Sequence, residues 1–179
     1  LPDILEAMEM SAKIELSYHP FNDNKYTTLF SPYCLKVFKQ RWYVLGFSSR
    51  HQQIRTFSFD RIEDIALTEE AFSIPKDFNQ HSYFNNCYGI TYSPHLELEI
   101  IVFKVNSRQI PYFRTRPIHH SQTEIKEGIF QIKAYLSYEL IQELLSYGSN
   151  IEVFSPTSVR IKIKEEAMKM IEMYQTKLP

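Results

Sequence analysis

Arginine and aromatic side chains alternate along two segments in the first third of the chain. Residues 41–47 are Arg-Trp-Tyr-Val-Leu-Gly-Phe, and residues 54–62 are Ile-Arg-Thr-Phe-Ser-Phe-Asp-Arg-Ile. A guanidinium group grips a phosphate through two parallel hydrogen bonds, and an aromatic ring stacks on a nucleobase. The pattern predicts a site for an anion that carries a planar ring, such as a nucleotide or a single nucleic-acid strand. A second interpretation stays open, in which Arg55 and Arg61 pair with Asp60 and Asp64 while the aromatic residues fill a core.

Patterns typical of catalysis are missing from the sequence. It contains no glycine-rich phosphate loop, no paired-histidine zinc helix and no Gly-x-Ser-x-Gly elbow. His119 and His120 are adjacent, and neighbours on a strand point to opposite faces, which disfavours a shared metal ion. We therefore predict that the protein is not an enzyme and has no catalytic residue, metal site or cofactor.

Charge is balanced overall but unevenly distributed. The 179 residues include 20 Lys and Arg against 21 Asp and Glu, for a net charge of −1. Residues 13–62 hold eight basic and three acidic side chains. This predicts a local anion site rather than a generally basic nucleic-acid-binding surface. A second basic wall, contributed across a dimer, is predicted in the acid-free stretch 103–123, from Lys104, Arg108, Arg114 and Arg116.

Composition predicts a folded cytoplasmic protein. Hydrophobic residues make up 44% and aromatic residues 15%, and the two cysteines are too few for a disulfide framework. No apolar run is long enough to cross a bilayer, and no signal peptide is recognisable, so we expect no membrane partner. The chain begins with Leu1 rather than Met, which suggests a fragment that another domain precedes.

Hydrophobic periodicity divides the chain into two folded parts and a connection. In residues 1–67, one helix and six short strands predict a small antiparallel barrel, with Trp42 and Val44 facing the core and Tyr43 facing the other way. The six strands are predicted near residues 14–18, 26–31, 33–39, 41–48, 54–59 and 62–67. Residues 68–95 are predicted to connect the two parts, with Asp77 capping a short helix.

Residues 96–179 predict the element order β-α-β-β-α-β-α, which is that of a ferredoxin-like unit with an added helix. The predicted strands lie near residues 96–103, 116–122, 129–136 and 151–154. The predicted helices lie at residues 107–113, from Ser137 to Gly148, and from Pro156 onward.

Four motifs in the first part resemble a WYL domain, a family named for its Trp-Tyr-Leu signature. They are Ile14-Glu15-Leu16-Ser17-Tyr18, Ser31-Pro32, Arg41-Trp42-Tyr43-Val44-Leu45-Gly46 and Arg55-Thr56-Phe57-Ser58-Phe59-Asp60-Arg61-Ile62. Here Val44 is inserted before Leu45, and Ser58-Phe59 replaces a common Arg-Leu. Residues 117–122 and 147–156 resemble the extension that follows WYL domains.

The resemblance implies a Sm-like, SH3-type barrel followed by a ferredoxin-like extension that supports a homodimer. It also implies a helix-turn-helix domain upstream, which binds double-stranded DNA, and hence the sensing part of a transcriptional regulator. Ligand-binding residues carried over by the resemblance are Tyr18, Tyr43, Arg55, Phe57 and Arg61. Two alternatives remain open: a single-stranded nucleic-acid-binding module, and a purely structural dimerisation unit.

Overall fold

The structure, a computed structural model, describes residues 1–175. The chain folds into two compact units, with the boundary between His81 and Ser82. Each unit is an antiparallel sheet with accompanying helices, so the predicted α+β class is confirmed. Among residues 1–175, no helix is both long and apolar enough to span a bilayer.

The first unit places one helix beside five strands. Its elements are α1 (Pro2–Met10), β1 (Ala12–Tyr18), β2 (Tyr26–Phe38), β3 (Arg41–Ser48), β4 (Gln53–Ser58) and β5 (Ile62–Ala71). Proline in the first turn of α1 removes an N–H that would have no helical partner there, and Ser11 ends the helix in the left-handed conformation, at φ 52°. The helix packs on the sheet through a buried core of Ile4, Ala7, Ile14, Leu16, Phe30, Val44 and Phe57.

The first sheet has the order β4-β3-β2-β1-β5, and all neighbouring strands are antiparallel. No pairing of β4 with β5 is found in residues 1–175, so the sheet is not closed by a ladder. A one-turn 3-10 helix, Phe59–Arg61, joins these two edge strands. The structure therefore shows an antiparallel sheet and leaves the barrel as a prediction.

Strand β2 is continuous where the sequence predicted two strands separated at Pro32. Pro32 pairs with Gly46 of β3, and the register shifts between Pro32 and Cys34. Proline lacks the N–H that a regular ladder needs, and irregularities of this kind are where strands accept it. The prediction of two strands was wrong because the register shift absorbs the proline.

Trp42 was predicted to pack in the core, and this was wrong. Its side chain is 46% exposed, whereas Val44 on the same face is completely buried. Trp42 pairs with Val37, which is 53% exposed, next to the turn at Lys39 and Gln40. Periodicity assigns a residue to a face of a strand, but it does not show whether that end of the strand extends beyond the core.

Residues 68–71 belong to the first sheet rather than to the predicted connection 68–95. β5 runs to Ala71, which pairs with Ala12, and Lys13 forms an ion pair of 2.9 Å with Glu70. The residues are polar because β5 is an edge strand, so their composition resembles that of a loop. The predicted cap of the following helix was also wrong: the side chain of Asn79, not Asp77, accepts the N–H of His81.

The second unit has the predicted element order. After α2 (Gln80–Phe84), which lies at the boundary, come β6 (Leu98–Val105), α3 (Ile110–Thr115), β7 (Thr123–Lys126), β8 (Ile129–Tyr135), α4 (Tyr138–Ser146), β9 (Ile151–Ser155) and α5 (Thr157–Gln175). The sheet order is β7-β8-β6-β9, with all neighbours antiparallel. Its core includes Phe103, Phe113, Phe130, Leu140 and Val159.

The strand predicted at residues 116–122 is irregular, and β7 begins only at Thr123. Side chains satisfy the backbone locally in this segment. Gln122 accepts the N–H of Ile118 at 2.9 Å and donates to the carbonyl of Phe113 at 2.7 Å. Such side-chain to backbone bonds compete with strand pairing.

Candidate functional site

Four rings, from β1, β2, β4 and the turn between β3 and β4, form an aromatic row: Tyr18, Tyr26, His51 and Phe57. Tyr18 and Tyr26 are partners in the β1–β2 ladder, and their ring centroids are 6.0 Å apart. Tyr18 packs edge-on against Phe57 at 4.7 Å, and Tyr26 packs against His51 at 5.5 Å. The row therefore places residues from distant parts of the sequence side by side.

Three arginines surround the aromatic row, and we call them the arginine trio: Arg50, Arg55 and Arg61. The guanidinium of Arg50 lies 4.6 Å from the centroid of Tyr26. Arg61 lies over Tyr18 at 5.3 Å and over Phe21 at 4.8 Å. Burial raises the pKa of Tyr26, and the positive charges of all three arginines partly oppose that rise. The charges of all three arginines therefore act on the same residue of the row, Tyr26.

No member of the trio has a carboxylate within ion-pair distance in residues 1–175. The pairing of Arg55 and Arg61 with Asp60 and Asp64, which the sequence left open, does not occur. Asp60 pairs instead with Arg41 at 3.3 Å and accepts the hydroxyl of Ser58, a hydrogen bond that is the main cause of its lowered pKa. The Nε of Arg61 is buried and has no hydrogen-bond partner among the described residues.

His51 is held by a chain of buried hydroxyl groups. Its Nδ1 lies 2.9 Å from the hydroxyl of Ser48, which lies 2.9 Å from that of Thr28. The backbone N–H of Arg50 also donates to the Thr28 hydroxyl, at 3.2 Å. Burial, followed by the charges of Arg55 and Arg50, lowers the pKa of His51 below its ordinary value of 6.5. The chain fixes the turn so that Arg50 and His51 both lie against Tyr26.

The structure brings together four of the five site residues predicted in this unit. Tyr18, Phe57 and Arg61 lie in or on the aromatic row, and Arg55 acts on it electrostatically. Phe57 is buried and also packs on Phe30 at 5.1 Å, so it supports the row from the core side. Tyr43 is buried in β3, and no ring contact or side-chain hydrogen bond in residues 1–175 joins it to the row.

Sequence reasoning missed Tyr26, Arg50 and His51. Arg50 and His51 lie in a polar turn, and their partner Tyr26 is more than twenty residues away. The available signal was the pair Arg50-His51, a cationic and a titratable side chain next to the Trp-Tyr-Val-Leu strand.

Comparison with protein families accounts for most of the chain. Residues 1–67 match the WYL domain, and residues 97–171 match the WCX domain. The chain contains a WYL domain followed by a WCX domain. The aromatic row and the arginine trio both lie within residues 1–67 and hence entirely within the WYL domain.

Individual relatives are distant. The uncharacterized HTH-type transcriptional regulator YobV of Bacillus subtilis (strain 168) is 26% identical over 147 residues, which cover 81% of this chain and 46% of YobV. The chain thus spans about half the length of this curated relative.

Two solved structures are also similar. Proteasome accessory factor B/C (PafBC) of Arthrobacter aurescens has a TM-score of 0.45 at 19% identity, covering 99% of this chain and 28% of PafBC. A CRISPR Cas-related protein has a TM-score of 0.61 at 10% identity, covering 97% of this chain and 51% of that one, and shares the fold.

The four residues of the predicted second basic wall lie in the WCX domain and are exposed: Lys104, Arg108, Arg114 and Arg116. Arg114 is neutralised by Glu124 of β7, which accepts from its Nε at 2.7 Å and from its Nη2 at 2.8 Å. Lys104 lies opposite Glu152 in the β6–β9 ladder. The stretch is acid-free in sequence, but neighbouring strands place Glu124 and Glu152 beside it, and the second basic wall stays a prediction.

Replacing Glu124 by glutamine is expected to destabilise the WCX domain at neutral pH but not in acid. The hydrogen bond from Arg114 lowers the pKa of Glu124 from its ordinary value of 4.5 to about 2. A group with a lowered pKa in the folded state contributes stability above its unfolded pKa and loses it as pH falls. Urea denaturation should therefore show that wild type has a larger free energy of unfolding than Glu124→Gln. The difference should be at its full size near pH 6 and should shrink steadily below about pH 4.5. Glu127→Gln serves as the matched control, and a gap that stayed constant with pH would contradict the assignment.

Within residues 1–175, no group of three or more His, Cys, Asp or Glu side chains is placed to hold a metal ion. His119 and His120 lie in the irregular segment before β7, and their ring centroids are 4.2 Å apart, so the opposite-face expectation for a strand does not apply.

Proposed function

We propose that the WYL domain of this chain senses a nucleotide-like or oligonucleotide anion and is the sensing part of a transcriptional regulator. The single observation that carries the proposal is the arginine trio, which has no carboxylate partner in the described residues and surrounds a row of aromatic rings. Arginines that serve stability alone usually pair with acids, as Arg41 and Arg114 do here. An unpaired cluster of this kind favours a negatively charged ligand.

Each component of the cluster has a role in the proposed complex. Arg50 and Arg55 bind phosphate oxygens, and Tyr26, half-exposed beside them, offers a ring face for a base. Arg61 lies over Tyr18 and Phe21, and its Nη groups rather than its buried Nε are the donors for a ligand. Tyr43, which lies in β3, is a proposed contact for a ligand that extends from the aromatic row to that strand.

The regulatory part of the proposal rests on the family and on YobV, whose name identifies it as an HTH-type transcriptional regulator. We propose that a helix-turn-helix domain upstream binds double-stranded DNA and that this chain contributes no catalysis. For ligand binding to act as a switch, the ligand must prefer one of two arrangements. Reversing a 1:99 population completely requires about 5.5 kcal/mol of differential binding.

We also propose a homodimer, supported by the apolar surface of the WCX domain. The C-terminal half of α5 exposes Met168, Met170, Ile171, Met173 and Tyr174. An apolar groove of about 620 Å³ lies beside it, lined by residues of α4, β9 and α5. Exposed apolar surface of this kind is typical of an interface. The Sm-like barrel and the ferredoxin-like extension remain part of the proposal, supported by the two sheet orders.

Arg55→Ala is expected to weaken binding of short single-stranded DNA and RNA by about ten- to a hundredfold. The reason is that a hydrogen bond to a charged group contributes roughly 1.5–3 kcal/mol. Fluorescence polarisation with labelled oligonucleotides measures the affinity, and competition with mononucleotides tests the smaller ligand.

Lys13→Ala is the matched control for Arg55→Ala. It removes one positive charge from the same unit, but Lys13 pairs with Glu70 and lies outside the cluster. Equal affinities of wild type and Arg55→Ala would exclude the proposed site. A melting temperature unchanged by every nucleotide and oligonucleotide would instead favour a purely structural dimerisation unit.

A further inference from the structure

One hydrogen-bonding atom on the candidate site, Nε2 of His51, has a defined position and no hydrogen-bond partner in the part of the chain that the structure describes. The hydroxyl of Ser48 holds Nδ1 of His51, so Nε2 is the ring nitrogen that remains for a ligand. In residues 1–175, no hydrogen bond or ion pair involves Nε2. Ser48 is completely buried and Thr28 is 4% exposed, so the hydroxyl chain behind the ring is rigidly enclosed. The ring is therefore oriented by the protein and open on one side.

Positive charge surrounds this ring nitrogen. The titratable and charged groups that act on His51 are Arg50 of the same turn and Arg55 of β4. Tyr26 of β2 and Phe57 of β4 supply the neighbouring rings, at 5.5 and 6.5 Å. Two acids act on the tyrosines of the row, Asp23 on Tyr26 and Asp60 on Tyr18. Two guanidinium groups therefore act on His51, and no carboxylate is among the groups that shift its pKa, so the positive charge at this ring exceeds what one singly charged phosphodiester neutralises.

We propose that the site selects a phosphomonoester, the terminal phosphate of a nucleotide or of a single strand, and that His51 determines this selectivity by donating from Nε2 to the phosphate. The inference rests on the proposed function and narrows its ligand class. A phosphomonoester carries about −1.5 to −2 charges at neutral pH and presents three terminal oxygens. An internal phosphodiester carries a single charge and presents two such oxygens. Arg50, Arg55 and His51 together match the larger number of acceptors.

Binding of this ligand takes up a proton. In the free protein, burial and the two arginines lower the pKa of His51, so the ring is mainly neutral near pH 7. A bound dianion stabilises the charged imidazolium and raises that pKa. The complex therefore holds more protons than the free partners, and affinity increases as pH falls towards the second pKa of the phosphate, about 6. Below that value the ligand itself loses charge and the increase ends.

The test compares fluorescein-labelled ten-nucleotide oligothymidylates that carry either a phosphate or a hydroxyl at the 5′ end, with the label at the 3′ end. We expect the full 179-residue chain to bind the phosphorylated strand about tenfold more tightly. Between about pH 8 and about pH 6.5, affinity for that strand should rise about five- to tenfold. Competition with thymidine monophosphate, thymidine and inorganic phosphate distinguishes a free nucleotide from a strand end.

Two substitutions separate the roles of the imidazole nitrogens. His51→Asn places an amide at the position of Nδ1, which preserves the bond to Ser48, and has nothing at Nε2. It should bind both strands equally and lose the pH dependence. His51→Gln carries its amide to the Nε2 position but does not titrate, so it should retain part of the preference and lose the pH dependence. His95→Gln, at an exposed loop position in the second unit, is the control.

The outcomes separate the two proposals. If both oligonucleotides bind wild type with equal affinity and Arg55→Ala still weakens them, the phosphomonoester inference is wrong and the proposed function stands. Retention of the wild-type preference by folded His51→Asn also overturns the inference. Absence of binding by every oligonucleotide and nucleotide overturns both.

Discussion

Gly46→Ala is expected to destabilise the WYL domain by about 3 kcal/mol, a large part of the stability of a typical domain. A Cβ at this position would lie 2.0 Å from the carbonyl oxygen of Ser31 and 2.7 Å from Cζ of Phe30. Neither neighbour can move easily. Ser31 belongs to the β2–β3 ladder, and Phe30 is completely buried. Overpacking against backbone requires the two strands to separate.

Urea denaturation followed by far-UV circular dichroism and by the fluorescence of Trp42 measures this effect. Trp42 is the only tryptophan and lies in the WYL domain, so its signal reports on that unit. Gly148→Ala is an informative control because Gly148 has a positive φ of 54° but no atom within 4 Å of an added Cβ. Gly148→Ala should lower the free energy of unfolding by only about 1 kcal/mol, and the domain affected should be the WCX domain. Similar losses for the two variants would show that the close approach at Gly46 is unimportant.

The double variant Arg50→Ala/Arg55→Ala is expected to weaken binding of single-stranded DNA by about a hundredfold or more and to flatten its salt dependence. Each phosphate of a single strand that the protein neutralises contributes roughly −0.7 to the slope of log affinity against log salt. If the two arginines contact two different phosphates, their loss should reduce the steepness by about 1.4, and if they share one terminal phosphate, by about 0.7. Polarisation titrations over a range of salt concentrations provide both quantities.

The same titrations choose between the two ligand classes that the sequence left open. A module that grips several phosphates of a strand has a steep slope in the wild type, whereas a sensor of one terminal phosphate has a shallow one. The variant Lys13→Ala/Lys76→Ala removes two positive charges from the same unit outside the arginine trio, and it should leave slope and affinity close to wild type. An equal change in both double variants would mean that only the overall charge matters.

Much of the fold could be predicted because periodicity reports local structure. The helix at the N-terminus, the strands around Ile14 and Val44 and the element order of the WCX domain all follow from apolar spacing. The errors have non-local causes. Trp42 lies on the predicted face but beyond the end of the core, and the polar residues 68–71 pair as an edge strand. Neither fact is contained in the spacing of residues along one segment.

Sequence patterns predicted the part of the site that lies within one or two neighbouring segments. They missed the residues that become neighbours only when the strands pair. Arg55 and Arg61 are visible as arginines beside aromatic residues within nine positions. Tyr26 became part of the site only because β2 pairs with β1 at Tyr18 and faces the turn that carries Arg50 and His51. Tyr43 was assigned to the site by the family resemblance, on the face opposite to Trp42, and its burial shows that this face of β3 is covered at that position.

The connectivity of the first sheet implies an order in which it forms. β2 and β3 are joined by the two-residue turn of Lys39 and Gln40, whereas the β1–β5 ladder brings together Lys13 and Glu70, which are 57 positions apart. Because the entropic cost of closing a loop rises with its length, the central meander is expected to form before β5 docks on β1. Arg61, which immediately precedes β5, belongs to the late step, and Arg55 belongs to the early one. A ligand that binds both arginines would stabilise the pairing of β5 with β1, which is the last step in forming the sheet. Ligand binding would then be coupled to the completion of folding.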